Sequence, residues 1–329
     1  MRTLNRGITR RHVIAAGGAG VLAAGVGLRP AFAADTIRQG YQTNMWGMPT
    51  YYLMRSGYLE KHGIKFEEFG VPSGNLTMQQ MVARQVDLGT YAGPSFALGH
   101  DKGGLIAIAM IEYVGKTARV IARKDLGITK VEQLKGLKVA NQTGSSVANI
   151  FVDQIAPKAG LKKGDFQEVR MNVNDMVAAM AAKTVDAMVN VEPYNAIAEA
   201  DGTGVSISEF YEFDKMPVFM AATPDFIAKS PDTAVAYLKA WLDVAKDFKN
   251  EPKKVADAIY EFYTSKGYQL SKDTFAKALA RVEVQPGWPD DLKPYMTHHA
   301  QILLDTKKIK AIPDWDKAFR MDFLKKAMA

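Results

Sequence analysis

The sequence predicts an α/β protein of two similar lobes with a helical C-terminal part. The segment Met81 to Gly103 recurs 99 positions later as Met180 to Gly202, with Met81/Met180, Ala83/Ala182, Val86/Val185, Asp87/Asp186, Pro94/Pro193, Ala97/Ala196 and Gly103/Gly202 identical. Each copy reads as a helix, a short apolar strand after Val-Asp, and a second helix opening near the proline. From Asp232 onward, apolar residues at Ala236, Leu238, Trp241, Leu242, Ala245 and Phe248 keep helical spacing instead. Two lobes with a cleft between them satisfy the repeat, and so do two consecutive units of a single sheet.

Taken in order, Thr36 to Tyr41 reads as a first strand, followed by a polar and aromatic turn from Gln42 to Pro49 and a helix around Tyr51 to Glu60. Gly63 to Phe69 alternates as a second strand, and Val71 to Asn75 turns into a helix over Leu76 to Arg84. Leu105 to Ile111 and Arg119 to Ala122 are further strands, with a crossing to the second lobe around Val114 to Thr117. Lys138 to Asn141 leads through Gln142 to Ser146 into a helix ending near Ala159, and Asp186 to Asn190 precedes Val191 to Tyr194. Met216 to Ala221 returns to the first lobe, after which four or five helices are expected, interrupted at Pro252, Ser271 and Pro289.

Residues 1–33 read as an export signal. Arg2, Arg6, Arg10 and Arg11 make a basic start, Val13 to Leu28 is apolar, and Ala31-Phe32-Ala33 fits a small-x-small cleavage site. Thr9-Arg10-Arg11-His12-Val13-Ile14 resembles the twin-arginine signal, with Val13 and Ile14 where Phe and Leu are usual; an ordinary secretory signal is the alternative. Gly18-Ala19-Gly20-Val21-Leu22-Ala23 imitates a dinucleotide fingerprint, but Arg29-Pro30 breaks the helix which that motif requires.

Removing the signal takes away five arginines and no acids, leaving 37 basic against 35 acidic residues. With no basic tract in the remainder, nucleic acid is not an expected partner. The chain has no cysteine, which excludes disulfides, a thiol nucleophile, Cys-based metal sites and lipidation of a cysteine. His62 and His100 are isolated, and the adjacent His298 and His299 diverge by about 100° on a helix, so no metal site is expected.

Asn75 to Gly103, Ile128 to Ala140 and Thr184 to Gly202 resemble the periplasmic nitrate-, sulfonate- and taurine-binding proteins of ABC importers, a family that includes thiamine-precursor binders. The resemblance implies a type II periplasmic binding protein clamshell. Residues 34–117 and 216–329 would form lobe one, the latter mostly helical, and 118–215 lobe two, joined by two crossing strands. It further implies a monomeric, non-enzymatic periplasmic protein, without lipid anchor or cofactor, that closes on a small molecule and docks onto a membrane permease with its cytoplasmic ATPase. An enzyme of the same fold acting on a small heterocycle and a ligand-binding sensor component are the alternatives.

Ligands in open α/β sheets sit beyond the carboxyl ends of strands, at helix N-termini. The candidate ligand residues are therefore Gln42, Trp46, Ser73, Gly74, Asn75, Tyr91, Thr143, Ser145, Ser146, Asn190, Glu192 and Tyr194, in five loops. Helix capping accounts equally well for each hydroxyl among them. Glu192 is the only charged residue in these loops, and with Trp46, Tyr91 and Tyr194 it suits a neutral or cationic heterocycle, whereas a sulfonate or nitrate would rely on helix N-termini. The exported protein should begin at Ala34; intact mass of material from the periplasm checks this, and a retained Met1 would overturn the export reading.

Overall fold

The computed structural model describes residues 36–267 and 269–329; the export signal expected over 1–33 lies outside them. Eleven strands among the described residues form two sheets. They are β1 (Thr36–Gln42), β2 (Lys65–Val71), β3 (Leu88–Ala92), β4 (Ile106–Tyr113), β5 (Ala118–Arg123), β6 (Lys138–Asn141), β7 (Gln167–Arg170), β8 (Ala187–Val191), β9 (Gly204–Glu209), β10 (Pro217–Ala222) and β11 (Glu283–Gly287). The first sheet has the order β11-β4-β10-β3-β1-β2 and the second β7-β6-β8-β5-β9.

The two copies of the repeat lie in different sheets, β3 in the first and β8 in the second, which removes the single-sheet alternative. The physics of the repeat is the same in both. Each preceding helix ends in a six-to-one turn, Gln85 N–H to Gln80 O at 2.8 Å and Thr184 N–H to Ala179 O at 3.0 Å. The residue at the turn is left-handed in both, Arg84 at φ 59° and Lys183 at φ 58°. The aspartate that follows then joins two strands: Asp87 Oδ2 accepts from Arg38 N and Asp186 Oδ2 from Lys138 N, each at 2.9 Å. The aspartate backbone N–H groups return the bond to the same residues, Arg38 O and Lys138 O, at 2.8 Å in both cases. A Val-Asp pair is thus a clamp that sets the register between β1 and β3 in the first lobe and between β6 and β8 in the second.

The chain leaves the first sheet through 114–117 and returns through 210–216. The crossings hold each other as a short ribbon, with Val114 N–H to Met216 O at 3.2 Å and Gly115 N–H to Lys215 O at 2.9 Å. One apolar cluster runs continuously from the first sheet through Val114, Ala118 and Met216 into the second lobe. A second covers the other face of the first sheet with Phe96, Phe219, Trp315 and Phe319.

The helical C-terminal part is present, led by Pro231–Asn250, Pro252–Ser265 and Leu292–Asp305. It contains one element that the helical reading did not include, strand β11, which pairs antiparallel with β4. The helix expected over Tyr51 to Glu60 is two, Met48–Arg55 and Tyr58–Lys61, because Gly57 between them is left-handed at φ 77°. A Cβ on Gly115 would meet Asp214 O at 2.3 Å and Lys215 backbone atoms at 3.0 Å. Gly115→Ala should therefore push the crossings apart and lower stability by about 1–3 kcal/mol in urea denaturation; an unchanged midpoint would show that the crossings need no close approach.

Candidate functional site

A cavity of about 30 Å³ lies between the lobes, lined from both. It is room for one or two waters, so an organic solute enters only as the lobes part. The first lobe contributes Gln42, Asn44, Trp46, Ser73, Gly74, Asn75, Ala92 and Ser95; the second contributes Gln142, Ser145, Ser146, Val147, Val173, Val189, Asn190 and Val191. A much larger groove of about 1300 Å³ lies on the outside of the helical part, beside β11. The candidate site is the smaller cavity, because there both lobes meet at strand ends and helix starts.

Three helices begin at this cavity. Gly74–Val82 opens behind Ser73, Gly93–Gly103 behind Ala92, and Ser146–Ile150 behind Ser145, whose Oγ accepts from Ala148 N. The first N–H groups of a helix have no intrahelical acceptor, so three partial positive charges converge on the cavity. The lobes touch at these starts: Ser95 N–H donates to Ser146 Oγ at 3.2 Å, and the two hydroxyls lie 3.0 Å apart.

The polar side chains are mostly occupied. Gln42 Nε2 donates to Thr90 O at 2.9 Å, and Trp46 Nε1 donates to Thr117 Oγ1 at 2.5 Å. Asn190 gives its Nδ2 to Val173 O at 2.8 Å and accepts from Val191 N at 2.9 Å. Two buried atoms have no hydrogen-bond partner, Ser73 Oγ from one lobe and Gln142 Oε1 from the other. A hydroxyl donates as readily as it accepts, and a carboxamide turns either face to a ligand. No charged side chain lines the cavity.

Of the candidates read from the sequence, Gln42, Trp46, Ser73, Gly74, Asn75, Ser145, Ser146 and Asn190 line the cavity. Tyr91, Thr143, Glu192 and Tyr194 do not. Tyr91 is fully buried in the apolar cluster on the far face of the first sheet. Thr143 is exposed, its Oγ1 donating to Asn141 Oδ1 at 2.9 Å, and Tyr194 is packed in the core.

Glu192 is the largest revision. Its carboxylate is 1% exposed and lies 2.6 Å from Arg119 Nη2, with Ala196 N–H donating to the other oxygen at 3.0 Å. Burial pushes this carboxyl up from its ordinary range, and the Arg119 guanidinium and the Ala196 N–H pull against that. Arg119 also holds Glu199, at 2.9 Å, and Arg281 approaches Glu192 at 3.7 Å. A carboxylate so engaged is not free to read a cationic ligand, so the expectation of a heterocycle loses its main support. Sequence reading passed over Asn44, Ser95 and Gln142 within its own loops, and the four valines carried no signal, because apolar strand residues look like core.

Removing Arg119 leaves Glu192 buried without its countercharge. Arg119→Leu should cost about 3–5 kcal/mol in urea denaturation, while Glu192→Gln should leave solute affinity close to wild type. An Arg119→Leu protein as stable as the wild type would overturn the structural role of the pair.

Residues 44–255 match the family model described as NMT1/THI5 like. A putative binding protein of Brucella abortus is 29% identical over 69% of this chain and 71% of its own length. A putative aliphatic sulfonates-binding protein of Escherichia coli is 31% identical over 51% of this chain and 53% of its own. Among solved structures, the alkanesulfonate-binding protein of Xanthomonas axonopodis, bound to MOPS, superposes with a TM-score of 0.76 at 17% identity, covering 87% of this chain and 98% of that one. The two sheets and the helical C-terminal part are the type II periplasmic binding protein fold, and the chain belongs to the NMT1/THI5-like family.

Proposed function

We propose that this chain is the periplasmic solute-binding component of an ABC importer, and that its solute is a small organic anion with a sulfonate-like head. The observation that carries the reading is the convergence of three helix starts, from both lobes, on a cavity that no carboxylate faces. Backbone N–H groups and hydroxyls hold an anionic head without a countercharge, as helix N-termini do elsewhere. Trp46, Ala92, Val147, Val173, Val189 and Val191 supply an apolar wall that nitrate has no means to use and an alkyl group does. The relative named for aliphatic sulfonates supports the same class. No titratable side chain lines the cavity to act as general acid or base, which favours binding over catalysis. The lobes, 34–117 with 216–329 and 118–215, turn on the two crossings to admit the solute and close over it. Only the closed form then presents both lobe faces together to a permease.

Ethanesulfonate binding by calorimetry tests this. It should bind more tightly than nitrate, and Ser73→Ala should weaken it by about 1 kcal/mol. Gln142→Glu places a like charge in the cavity with little change of shape and should cost several kcal/mol, of order 2–3. If Gln142→Glu instead tightens binding of a cationic pyrimidine while ethanesulfonate does not bind the wild type, the anion reading fails.

A further inference from the structure

Trp46 enters the cavity wall from a turn whose backbone is fixed on both sides. Asn44 Oδ1 accepts from Trp46 N at 2.9 Å, and Asn44 Nδ2 donates to Pro72 O at 3.1 Å. Gly47, the next residue, has no room for a Cβ, which would run into the Gln42 carbonyl. The turn Met45–Gly47 is therefore set without reference to the indole. What remains is rotation of the side chain, and a buried indole N–H settles where it finds an acceptor.

That acceptor is Thr117 Oγ1, 71 residues further along the chain and outside the cavity lining. Trp46 is 4% exposed and Thr117 fully buried, so bulk water does not compete for the bond. The Thr117 hydroxyl gives its own proton to Val114 O at 2.7 Å, which leaves an oxygen lone pair for the indole. Val114 and Thr117 bracket the outgoing crossing, whose short turn is Gly115–Thr117. The Thr117 carbonyl serves the second lobe, accepting from Glu192 N and from Asn195 Nδ2, each at 3.0 Å. One residue of the crossing thus bonds the first lobe's cavity wall by its side chain and the second lobe by its backbone.

We propose that Thr117 is a positioning residue for the solute cavity: its hydroxyl holds the Trp46 indole as a fixed wall against the solute's alkyl group, and so gives the cavity its preference among alkyl chains. Trp46 is the one large apolar side chain that the first lobe gives to the lining, while the second lobe gives four valines. A fixed wall rewards an added methylene that reaches it. An indole released from Thr117 turns toward other acceptors and no longer packs in one place, so that reward is lost. Thr117 acts on an alkanesulfonate only if the sulfonate reading above holds, whereas its bond to Trp46 is independent of the solute.

Calorimetry with methanesulfonate and ethanesulfonate tests this. The wild type should bind ethanesulfonate about tenfold more tightly, the scale for one methylene against an apolar wall. Thr117→Val keeps the shape, loses the hydroxyl and should erase most of that preference; Thr117→Ser keeps the hydroxyl and should retain it. A purely structural role would weaken both solutes alike and leave their ratio in place. Trp46→Ala should erase the preference too, and adding Thr117→Val to it should change the ratio no further, since Thr117 acts through the indole. Equal binding of the two by the wild type, an unchanged ratio in Thr117→Val or in Trp46→Ala, or a further change in the double variant overturns the proposal. The four tryptophans give four indole N–H signals in nitrogen-15 NMR, and Trp46→Ala identifies that of Trp46. If the wild type binds neither sulfonate, the sulfonate reading fails and this signal decides for Thr117. Shifted in Thr117→Val but not in Thr117→Ser, it supports the positioning role; unshifted in both, it overturns it.

Discussion

The buried guanidinium of Arg119 is the constraint on which the junction of the lobes depends. It sits on β5, opposite Asn190 of β8, and bonds Glu192 in the turn that follows β8. The Glu192 carbonyl in turn accepts from Met45 N at 3.1 Å, which brings the Trp46 loop of the first lobe against the second. Asn190 and Trp46 both line the cavity, so the pair acts on the site by holding its two walls and not by touching a solute. A buried ion pair of this kind repays little more than its own desolvation. What it adds is a single arrangement, since every other placement of Glu192 leaves a charge buried alone.

Much of the fold was legible because the repeat is a hydrogen-bonding device. Val-Asp recurs since each aspartate must bridge two parallel-running strands of its sheet, β1 with β3 and β6 with β8, and each preceding helix must end in the same left-handed turn. The strands that escaped reading are all at sheet edges: β7, β9 and β11. An edge strand is buried on fewer sides and carries a weaker apolar pattern. In β11, Pro286 also argues against a strand, and it is tolerated there because the edge leaves its missing N–H without consequence.

The site was legible as loops and not as roles. Its polar groups are largely backbone N–H at helix starts, which every sequence has, so only position in the fold distinguishes them. Glu192 misled for the opposite reason. An acid in an otherwise uncharged set of loops draws attention, but its partner Arg119 lies 73 residues away on a neighbouring strand, and no local pattern joins the two. Ser95 was equally hidden, since a hydroxyl at a helix start reads as a cap whether or not another lobe meets it.

The absence of a charged group from the cavity lining has a chemical consequence. A sulfonate is a strong acid, charged throughout the range in which carboxylates and histidines titrate, and the cavity proposed to hold it is lined by no titratable group. On that proposal, no group in contact with the solute changes charge over that range. Among the described residues, Glu192, the one acid in the loops read from the sequence, is held by Arg119 instead. Were that carboxylate in the cavity wall, each proton taken up would alter which solutes the cavity admits. Keeping Glu192 tied to Arg119 is what prevents this.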